Sequence, residues 1–404
     1  MHDNESLAGL EAELVAELLG DDHLAALADD GRTDHGLMFH EFHRGNMISM
    51  NSMKRWTFCQ FMLACAPMEI SLFDYSLPPE RIAQKPMEPR EGAKLLVLDR
   101  ASGTISDKHV GDLPDLLKAG DLLIFNDSKV FKARLKAEVS SKFSRDVGLQ
   151  VEIFLLRPDG DHWMAMAKPG KKLHTGTRLI FQDGSKATVI GKRDDGTVDL
   201  DFRMSAGQVF GLADSYGEVP VPPYVEPTRE NTSVYQTIYA KNVGSVAAPT
   251  AGFHFTEDLF NKLEAKGVKK AFVTLHVGVG TFRPIKTDTL EGHVMHEEWA
   301  DVPQTTREAI EETKKNGGRV IVVGTTAMRA LESGVDSGFT KLFITPGYEF
   351  KVADGLITNF HLPKSTLIVL VSSFAGREHV LNAYKHAVDN DYRFYSFGDA
   401  MLIL

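Results

Sequence analysis

The segment from Val151 to Phe202, VEIFLLRPDGDHWMAMAKPGKKLHTGTRLIFQDGSKATVIGKRDDGTVDLDF, decides the fold of the middle of the chain. Its short apolar runs are separated by Asp159-Gly160, Asp183-Gly184 and Asp195-Gly196. An Asp-Gly pair between two strand-like runs is typical of a tight β-hairpin. Short strands that follow one another without helices predict a small β-barrel, which we assign to residues 132–223.

Strands and helices alternate on both sides of this region. Lys94–Arg100, Asp121–Asn126 and Arg319–Val323 are apolar runs bounded by turn residues, which predicts buried strands. Thr256, followed by two acidic residues, predicts the N-cap of a helix. The predicted fold class is α/β: a mixed, largely parallel sheet domain flanked by helices (residues 68–131 and 224–404), with an inserted small β-barrel domain.

Most of the net charge of −10 lies at the start of the chain, where residues 1–68 hold 4 Lys+Arg against 11 Asp+Glu. Both cysteines, Cys59 and Cys65, lie there too, so the rest of the chain has no thiol nucleophile or disulfide. We predict that residues 1–67 are a poorly ordered extension. Whether it is a true extension, a targeting segment or a wrong start site stays open.

The rest of the chain is nearly neutral, and no segment reaches transmembrane length. We expect a cytoplasmic protein that is a monomer or a weak homo-oligomer and that does not bind membranes.

Five polar or glycine-rich segments lie mostly beside predicted strand ends, where open α/β sheets bind ligands. They are Gly244–Thr256, Leu275–Pro284, His293–Glu298, Val323–Arg329 and Ile357–Thr366. Small residues before a helix let backbone N–H groups approach an anion. His293 and His296 could share a helical face, but their spacing matches no zinc motif and no third ligand follows. We therefore predict no metal and favour proton transfer or hydrogen bonding for these histidines.

Residues 129–178 are basic, with 11 Lys+Arg against 5 Asp+Glu. Lys168, Lys171 and Lys172 form a basic turn in the predicted barrel. From composition alone, a solvated hairpin surface and a phosphate-binding face both remain open.

Long literal motifs then identify a family. The segments GSVAAPTAGFHFT (Gly244–Thr256), LITNFHLPKSTL (Leu356–Leu367) and YRFYSFGDAML (Tyr392–Leu402) occur in order with FDYSLP at Phe73–Pro78. From about Met68 to Leu404 the chain resembles the S-adenosylmethionine:tRNA ribosyltransferase-isomerases of queuosine biosynthesis. Residues 1–67 have no counterpart in this resemblance.

The resemblance implies a reaction with two substrates. The ribosyl part of S-adenosylmethionine is transferred to 7-aminomethyl-7-deazaguanine at the wobble position of tRNA and rearranged, giving epoxyqueuosine, adenine and methionine. S-adenosylmethionine is then a consumed co-substrate and no prosthetic group is implied. The anticodon arm of tRNA is the implied partner, which favours the phosphate-binding interpretation of the basic barrel.

The chemistry assigns expected roles to the polar segments. Histidines suit the proton transfers, because their pKa lies near neutrality. The expected catalytic residues are His254, His276, His296 and His361. The expected substrate-binding residues are Thr250, Phe255, Thr256, Gly278, Gly280, Phe282, Gly324, Thr325, Thr326, Arg329, Asn359 and Lys364. The expected RNA-binding residues are Lys168, Lys171 and Lys172.

Two other classes of protein are alternatives. A conventional methyltransferase would also bind S-adenosylmethionine, but the glycine fingerprint Gly278-x-Gly280 lacks its third glycine and the later acid. A non-catalytic RNA-binding protein would explain the basic barrel but not the polar loops of the α/β half.

Overall fold

The computed structural model describes residues 67–140, 148–278, 285 and 287–404. The predicted extension lies outside these residues, apart from its last residue, Pro67. The predicted ligand residues Gly280 and Phe282 also lie outside them.

The described residues form strands and helices in alternation on both sides of a run of strands. The strands are β1 (Lys94–Leu98), β2 (Ile105–His109), β3 (Leu122–Asn126), β4 (Ser128–Val130), β5 (Arg134–Val139), β6 (Gln150–Asp159), β7 (His162–Lys168), β8 (Arg178–Phe181), β9 (Lys186–Lys192), β10 (Val198–Asp201), β11 (Asn242–Ser245), β12 (Lys269–His276), β13 (Glu298–Asp301), β14 (Val320–Val323), β15 (Ser337–Thr340), β16 (Gly355–Asn359) and β17 (Ala400–Ile403). The helices are α1 (Leu113–Leu116), α2 (Ala206–Tyr216), α3 (Arg229–Ser233), α4 (Glu257–Ala265), α5 (Gln304–Lys315), α6 (Thr325–Glu332), α7 (Thr366–Ala375) and α8 (Arg377–Asp389).

Nine strands form one mixed sheet in the order β15-β13-β12-β3-β14-β16-β17-β1-β2. Its centre is parallel, because β12, β3, β14 and β16 all run in the same direction. Every residue of β3, β14 and β16 is buried, as expected for parallel strands covered on both faces. Helices α6, α7 and α8 pack on one face, while α1 and α4 cover the other. The carboxyl ends of the four parallel strands therefore meet at one edge of the sheet.

The middle of the chain closes into a six-stranded antiparallel barrel in the order β10-β7-β6-β5-β8-β9. Gly160, Gly184 and Gly196 turn its hairpins with φ of 61°, 85° and 85°, backbone conformations that glycine adopts without strain. Helix α2 packs Val209 and Leu212 into the barrel core. A short parallel pair, β4 with β11, lies where the chain enters the barrel and where it returns.

These observations confirm the predicted fold class, an α/β sheet with helices on both faces and a small β-barrel. His293 and His296 do not share a helical face, an arrangement that their spacing in the sequence left open. Both residues lie in irregular backbone before β13, so the i, i+3 helical spacing does not apply to them. Within the described residues, no helix has the length and apolar composition needed to cross a membrane.

Candidate active site

Polar side chains gather at the edge where the parallel strands end. Asn126 is the last residue of β3, Asn359 the last of β16, and Gly324 follows β14. Gly324 has a φ of 91° and donates its N–H to Ile357 O at 2.8 Å, which turns the chain directly into α6. Ligands of open α/β sheets bind at this edge, outside the carboxyl ends of the strands.

Asn359 joins three separate segments through its amide. Its Nδ2 donates to the Asp399 carbonyl at 3.3 Å and to His254 Nε2 at 3.2 Å, while Thr250 Oγ1 donates to its Oδ1 at 3.2 Å. A carbonyl oxygen only accepts, so the amide nitrogen must face Asp399, and His254 Nε2 must also accept. The proton of the neutral imidazole is then on His254 Nδ1, which has no hydrogen-bond partner within the described residues.

His254 is held uncharged at neutral pH. Burial, and then the positive charges of Arg393 and Arg90, lower the pKa of His254 to about 3. The imidazole therefore offers an N–H donor and no positive charge.

Close packing explains the small residues around His254. Thr250–His254 is a single turn of 3-10 helix, and a Cβ at Gly252 would lie 1.9 Å from the Tyr239 hydroxyl. Only glycine fits there, so the turn is fixed against Tyr239. A Cβ at Gly324 would lie 3.6 Å from Ala251 Cβ, which brings the turn beside the start of α6.

On the other side of Gly324, the Asn126 amide forms hydrogen bonds that connect the neighbouring strand ends. Its Nδ2 donates to Thr326 Oγ1 and to Leu275 O, both at 3.1 Å. Its Oδ1 accepts the N–H of Leu275 at 3.0 Å and that of Ser128 at 3.1 Å. Thr326 is thereby connected to β3 and β12, and the first turn of α6 is held at the edge.

His276 ends β12 beside this group. Its ring stacks on Trp299 with the centroids 5.4 Å apart, and burial lowers its pKa to about 4. A Cβ at Gly244 would lie 2.6 Å from His276 Nε2, so this glycine makes room for the ring. His276 Nδ1 is buried and has no hydrogen-bond partner within the described residues.

Arg329 is engaged inside the protein. It forms a buried ion pair with Glu298, and its Nε donates to Leu342 O at 3.1 Å. The Gly278 N–H donates to the other Glu298 oxygen at 2.9 Å. This ion pair links β13 to α6, and Glu298 also orients the backbone at Gly278. The Nη2 atom of Arg329 is buried and has no hydrogen-bond partner in the described part of the chain.

The structure does not bring all four expected catalytic histidines together. Thr358 and Asn359 are consecutive in β16, so their side chains point to opposite faces of the sheet. His361 Nε2 bonds to Thr358 Oγ1 at 2.9 Å and thus lies on the face opposite His254. Burial lowers the pKa of His361 to about 3.

His296 lies near the barrel instead. It lies close to Asp195, a residue in a barrel turn. Burial raises the pKa of Asp195, but hydrogen bonds from Thr197 and the charge of His296 lower this pKa by more. This contact and the 3.6 Å ion pair between Arg157 and Glu297 join the barrel to the segment before β13.

Several expected ligand residues have structural partners. Phe255 is 1% exposed and packs edge-on against Phe125 in the core, with ring centroids 4.8 Å apart. Thr256 caps α4 by accepting the Leu259 N–H at 3.1 Å. Thr325 is buried at the start of α6. Lys364 pairs with Asp74 at 2.7 Å. For Phe255 in particular, the ring has no open face for a ligand.

The three expected RNA-binding lysines lie on the barrel surface. Lys168 ends β7, and Lys171 and Lys172 belong to the single 3-10 turn that follows. All three side chains are exposed. The turn is held by Lys192, whose Nζ donates to the Gly170 carbonyl at 3.0 Å.

Arg90, Asn126 and Asp399 lie at the site but are not among the residues that the sequence pattern predicts. Arg90 donates to Phe253 O at 3.0 Å, and Asp399 accepts the N–H of Arg393 at 2.7 Å. Asn126 was predicted only as the end of a strand. Its position at the carboxyl end of β3 was a usable signal, whereas Arg90 and Asp399 reach the site through long-range contacts. No group of three or more His, Cys, Asp or Glu residues that could hold a metal is found in the described ranges.

The chain is an α/β protein with an inserted barrel, and the polar strand ends of its sheet form a candidate active site. The family model of the queuosine biosynthesis proteins matches residues 70–403, so the chain belongs to the queuosine biosynthesis protein family and is an enzyme of the transferase class. It is also similar to S-adenosylmethionine tRNA ribosyltransferase from Thermotoga maritima, at 38% sequence identity over 82% of this chain and 100% of that one. The two structures superpose with a TM-score of 0.48.

Proposed function

We propose that this enzyme transfers the ribosyl part of S-adenosylmethionine to 7-aminomethyl-7-deazaguanine at the wobble position of tRNA. The ribosyl unit is isomerised during transfer, which gives epoxyqueuosine and releases adenine and methionine. The observation that carries the proposal is the Thr250–His254–Asn359 cluster at the carboxyl edge of the sheet in a chain of the queuosine biosynthesis family.

His254 suits the departure of adenine. Loss of this base is helped by a hydrogen bond to a ring nitrogen, and such a bond needs a donor. Asn359 occupies His254 Nε2, which leaves the Nδ1–H free to donate. With a pKa of about 3 the ring stays uncharged, so it does not repel the sulfonium of the substrate.

His276 suits the removal of a proton. The positive sulfur acidifies the neighbouring ribose carbon, and a base must take that proton before the rearrangement. His276 is uncharged at neutral pH because burial lowers its pKa to about 4, and its Nδ1 has no partner in the described part of the chain. A neutral imidazole with a free nitrogen can accept the proton.

The methionine carboxylate has a matching site at the start of α6. The N–H groups at a helix N-terminus attract an anion, and Gly324, Thr325 and Thr326 stand there. The Thr250–Thr256 turn lies beside Gly324 and is the other expected contact. A direct contact between Arg329 and the methionine carboxylate stays a prediction. In the structure, the charge of Arg329 is already neutralised by Glu298.

The barrel suits tRNA because its exposed Lys168, Lys171 and Lys172 can neutralise phosphates. The ion pair between Arg157 of the barrel and Glu297 keeps the barrel in contact with the α/β half. RNA held on the barrel therefore stays attached to the domain that carries His254 and His276.

The proposed reaction is tested by incubating the protein with S-adenosylmethionine and tRNA that carries the 7-aminomethyl-7-deazaguanine precursor. Free adenine and the modified nucleoside are then measured by liquid chromatography. We expect both to appear in equal amounts, with a boiled sample as the control. Adenine that does not exceed the boiled control contradicts the proposal.

A matched pair of variants tests the role of the cluster. Asn359→Ala removes the partner of His254 Nε2 and frees its tautomer, so adenine release should fall by about 10²-fold, the size expected for loss of a positioned proton donor. Asn390→Ala is the control, because Asn390 lies at the exposed end of α8 and bonds to His386 O. Equal rates for the two variants would remove Asn359 and His254 from the mechanism.

A further inference from the structure

The positive charges that act on His254 belong to two arginines. Arg90 and Arg393 both lie close enough to lower the pKa of His254. The buried carboxylate of Asp399 accepts the Arg393 N–H at 2.7 Å, the Lys94 N–H at 3.0 Å and Arg393 Nη2 at 3.2 Å. Asp399 therefore neutralises Arg393, and within the described residues it forms no ion pair or hydrogen bond with Arg90.

Arg90 has no close counter-ion of its own. Its side chain is 18% exposed, and the nearest carboxylate oxygen within the described residues belongs to Glu88, 3.9 Å from Arg90 Nε. Glu88 is itself 73% exposed, so water screens its charge. Burial lowers the pKa of Arg90 below its ordinary value, with Glu88 opposing this only in part.

The geometry of Arg90 leaves part of its guanidinium available. Nη1 donates to the Phe253 carbonyl at 3.0 Å, and the guanidinium lies 5.7 Å from the centroid of the Phe253 ring. Nη2 makes no hydrogen bond within the described part of the chain. The contact with Phe253 fixes the direction of the group, so the free edge is oriented in advance. Arg90 and His254 both line one small cleft of about 10 Å³, together with Pro86, Met87, Phe253, Ser396, Phe397 and Gly398.

We infer that Arg90 binds an oxyanion of the substrate at the mouth of the cleft beside His254. A guanidinium presents parallel N–H groups that match the two oxygens of a carboxylate or a phosphate. An anion there would neutralise the uncompensated charge. This inference rests on the proposed function, which supplies two sources of such a group: a phosphodiester next to the modified base of tRNA, or the carboxylate of S-adenosylmethionine, which would then lie at Arg90 instead of at the start of α6.

The test compares Arg90→Ala and Arg90→Lys with the wild type and with the control Arg100→Ala. Arg100 also stacks on aromatic rings, 4.3 Å from the centroid of Phe374, but it has no contact with the cleft. Affinity for S-adenosylmethionine is measured by calorimetry, and affinity for an anticodon stem-loop RNA by fluorescence anisotropy at several salt concentrations. The thermal midpoint of each variant is recorded.

Loss of a charge-assisted contact should weaken binding by about 10- to 100-fold in Arg90→Ala, with partial recovery in Arg90→Lys and no change in Arg100→Ala. If only S-adenosylmethionine binding weakens, the anion is its carboxylate. If only RNA binding weakens and its salt dependence flattens, the anion is a phosphate. Unchanged affinity for both overturns the inference. A loss of both affinities with a lower thermal midpoint and no recovery in Arg90→Lys also overturns it, because Arg90 would then only support the Phe253 turn.

A separate probe keeps this inference independent of the proposed reaction. Inorganic phosphate is titrated into the protein while the Nε–H resonance of Arg90 is followed by NMR, with Arg100 as the internal control. A saturable shift of Arg90 alone supports an oxyanion site even if no adenine is released. Absence of that shift in a protein that does release adenine contradicts the site and leaves the proposed function standing.

Discussion

Acid should destabilise this protein through its buried neutral histidines, and His254 allows the effect to be isolated. In the folded state, burial and the nearby arginines lower the pKa of His254 from 6.5 to about 3. Between these values the unfolded chain binds a proton that the folded protein does not. The free energy of unfolding is therefore fully retained above pH 6.5 and falls as the pH decreases towards 3.

The size of this loss of stability follows from how far the pH falls below 6.5, the pKa of His254 in the unfolded chain. Lowering the pH from 7 to 5 passes the unfolded pKa by one and a half units, each worth about 1.4 kcal/mol. The wild type should lose about 2 kcal/mol of stability from His254 alone over this interval. His254→Gln removes the titrating group, so the variant should lose about 2 kcal/mol less than the wild type.

Denaturant unfolding at pH 7, 6 and 5 measures this difference. The comparison uses the change with pH within each protein, so any constant cost of the substitution cancels. His174→Gln, at an exposed position of the barrel, is the matched control and should follow the wild type. Identical pH dependence of the wild type and His254→Gln would refute the assignment of His254 as a buried, uncharged histidine.

Three further predictions concern other parts of the molecule. Replacing Lys168 and Lys171 by Glu should weaken tRNA binding and reduce the slope of log K against log salt by about 0.9 per lost phosphate contact; an unchanged slope would exclude them from the RNA surface. Arg329→Ala should lower the free energy of unfolding by about 3–5 kcal/mol, since it leaves the buried Glu298 carboxylate unpaired, and unchanged S-adenosylmethionine affinity would show that Arg329 does not bind the substrate. A protein begun at Met68 should keep its thermal midpoint and its rate of adenine release, because the family match starts at residue 70; loss of either would give the preceding residues a role.

Local signals in the sequence predicted the elements of the fold. Asp159-Gly160 and the other Asp-Gly pairs predicted the barrel hairpins because glycine adopts the positive φ of a tight turn without strain. Thr256 predicted the start of α4 because an N-cap side chain accepts an N–H from the first turn of its own helix. The spacing of His293 and His296 left a shared helical face open, and their irregular backbone excludes it; histidine spacing alone carries no hydrophobic period.

The site was predicted less completely because its contacts span long stretches of the chain. Asn359 and His254 are 105 residues apart, and no local pattern indicates which amide faces which ring. In the sequence, His361 lies only two residues after Asn359. Strand alternation nevertheless places His361 on the face of the sheet opposite His254. Arg90 lies 163 residues before its partner Phe253.

Isotope labelling tests the proposed transfer of the ribosyl part of S-adenosylmethionine to tRNA. Two samples of S-adenosylmethionine, one labelled in the ribose and one in the methyl group, are incubated separately with enzyme and precursor tRNA, and the label in the tRNA is counted. We predict that the ribose label enters the tRNA while the methyl label stays with free methionine. Methyl label in the tRNA without ribose label would make the protein a methyltransferase and contradict the account.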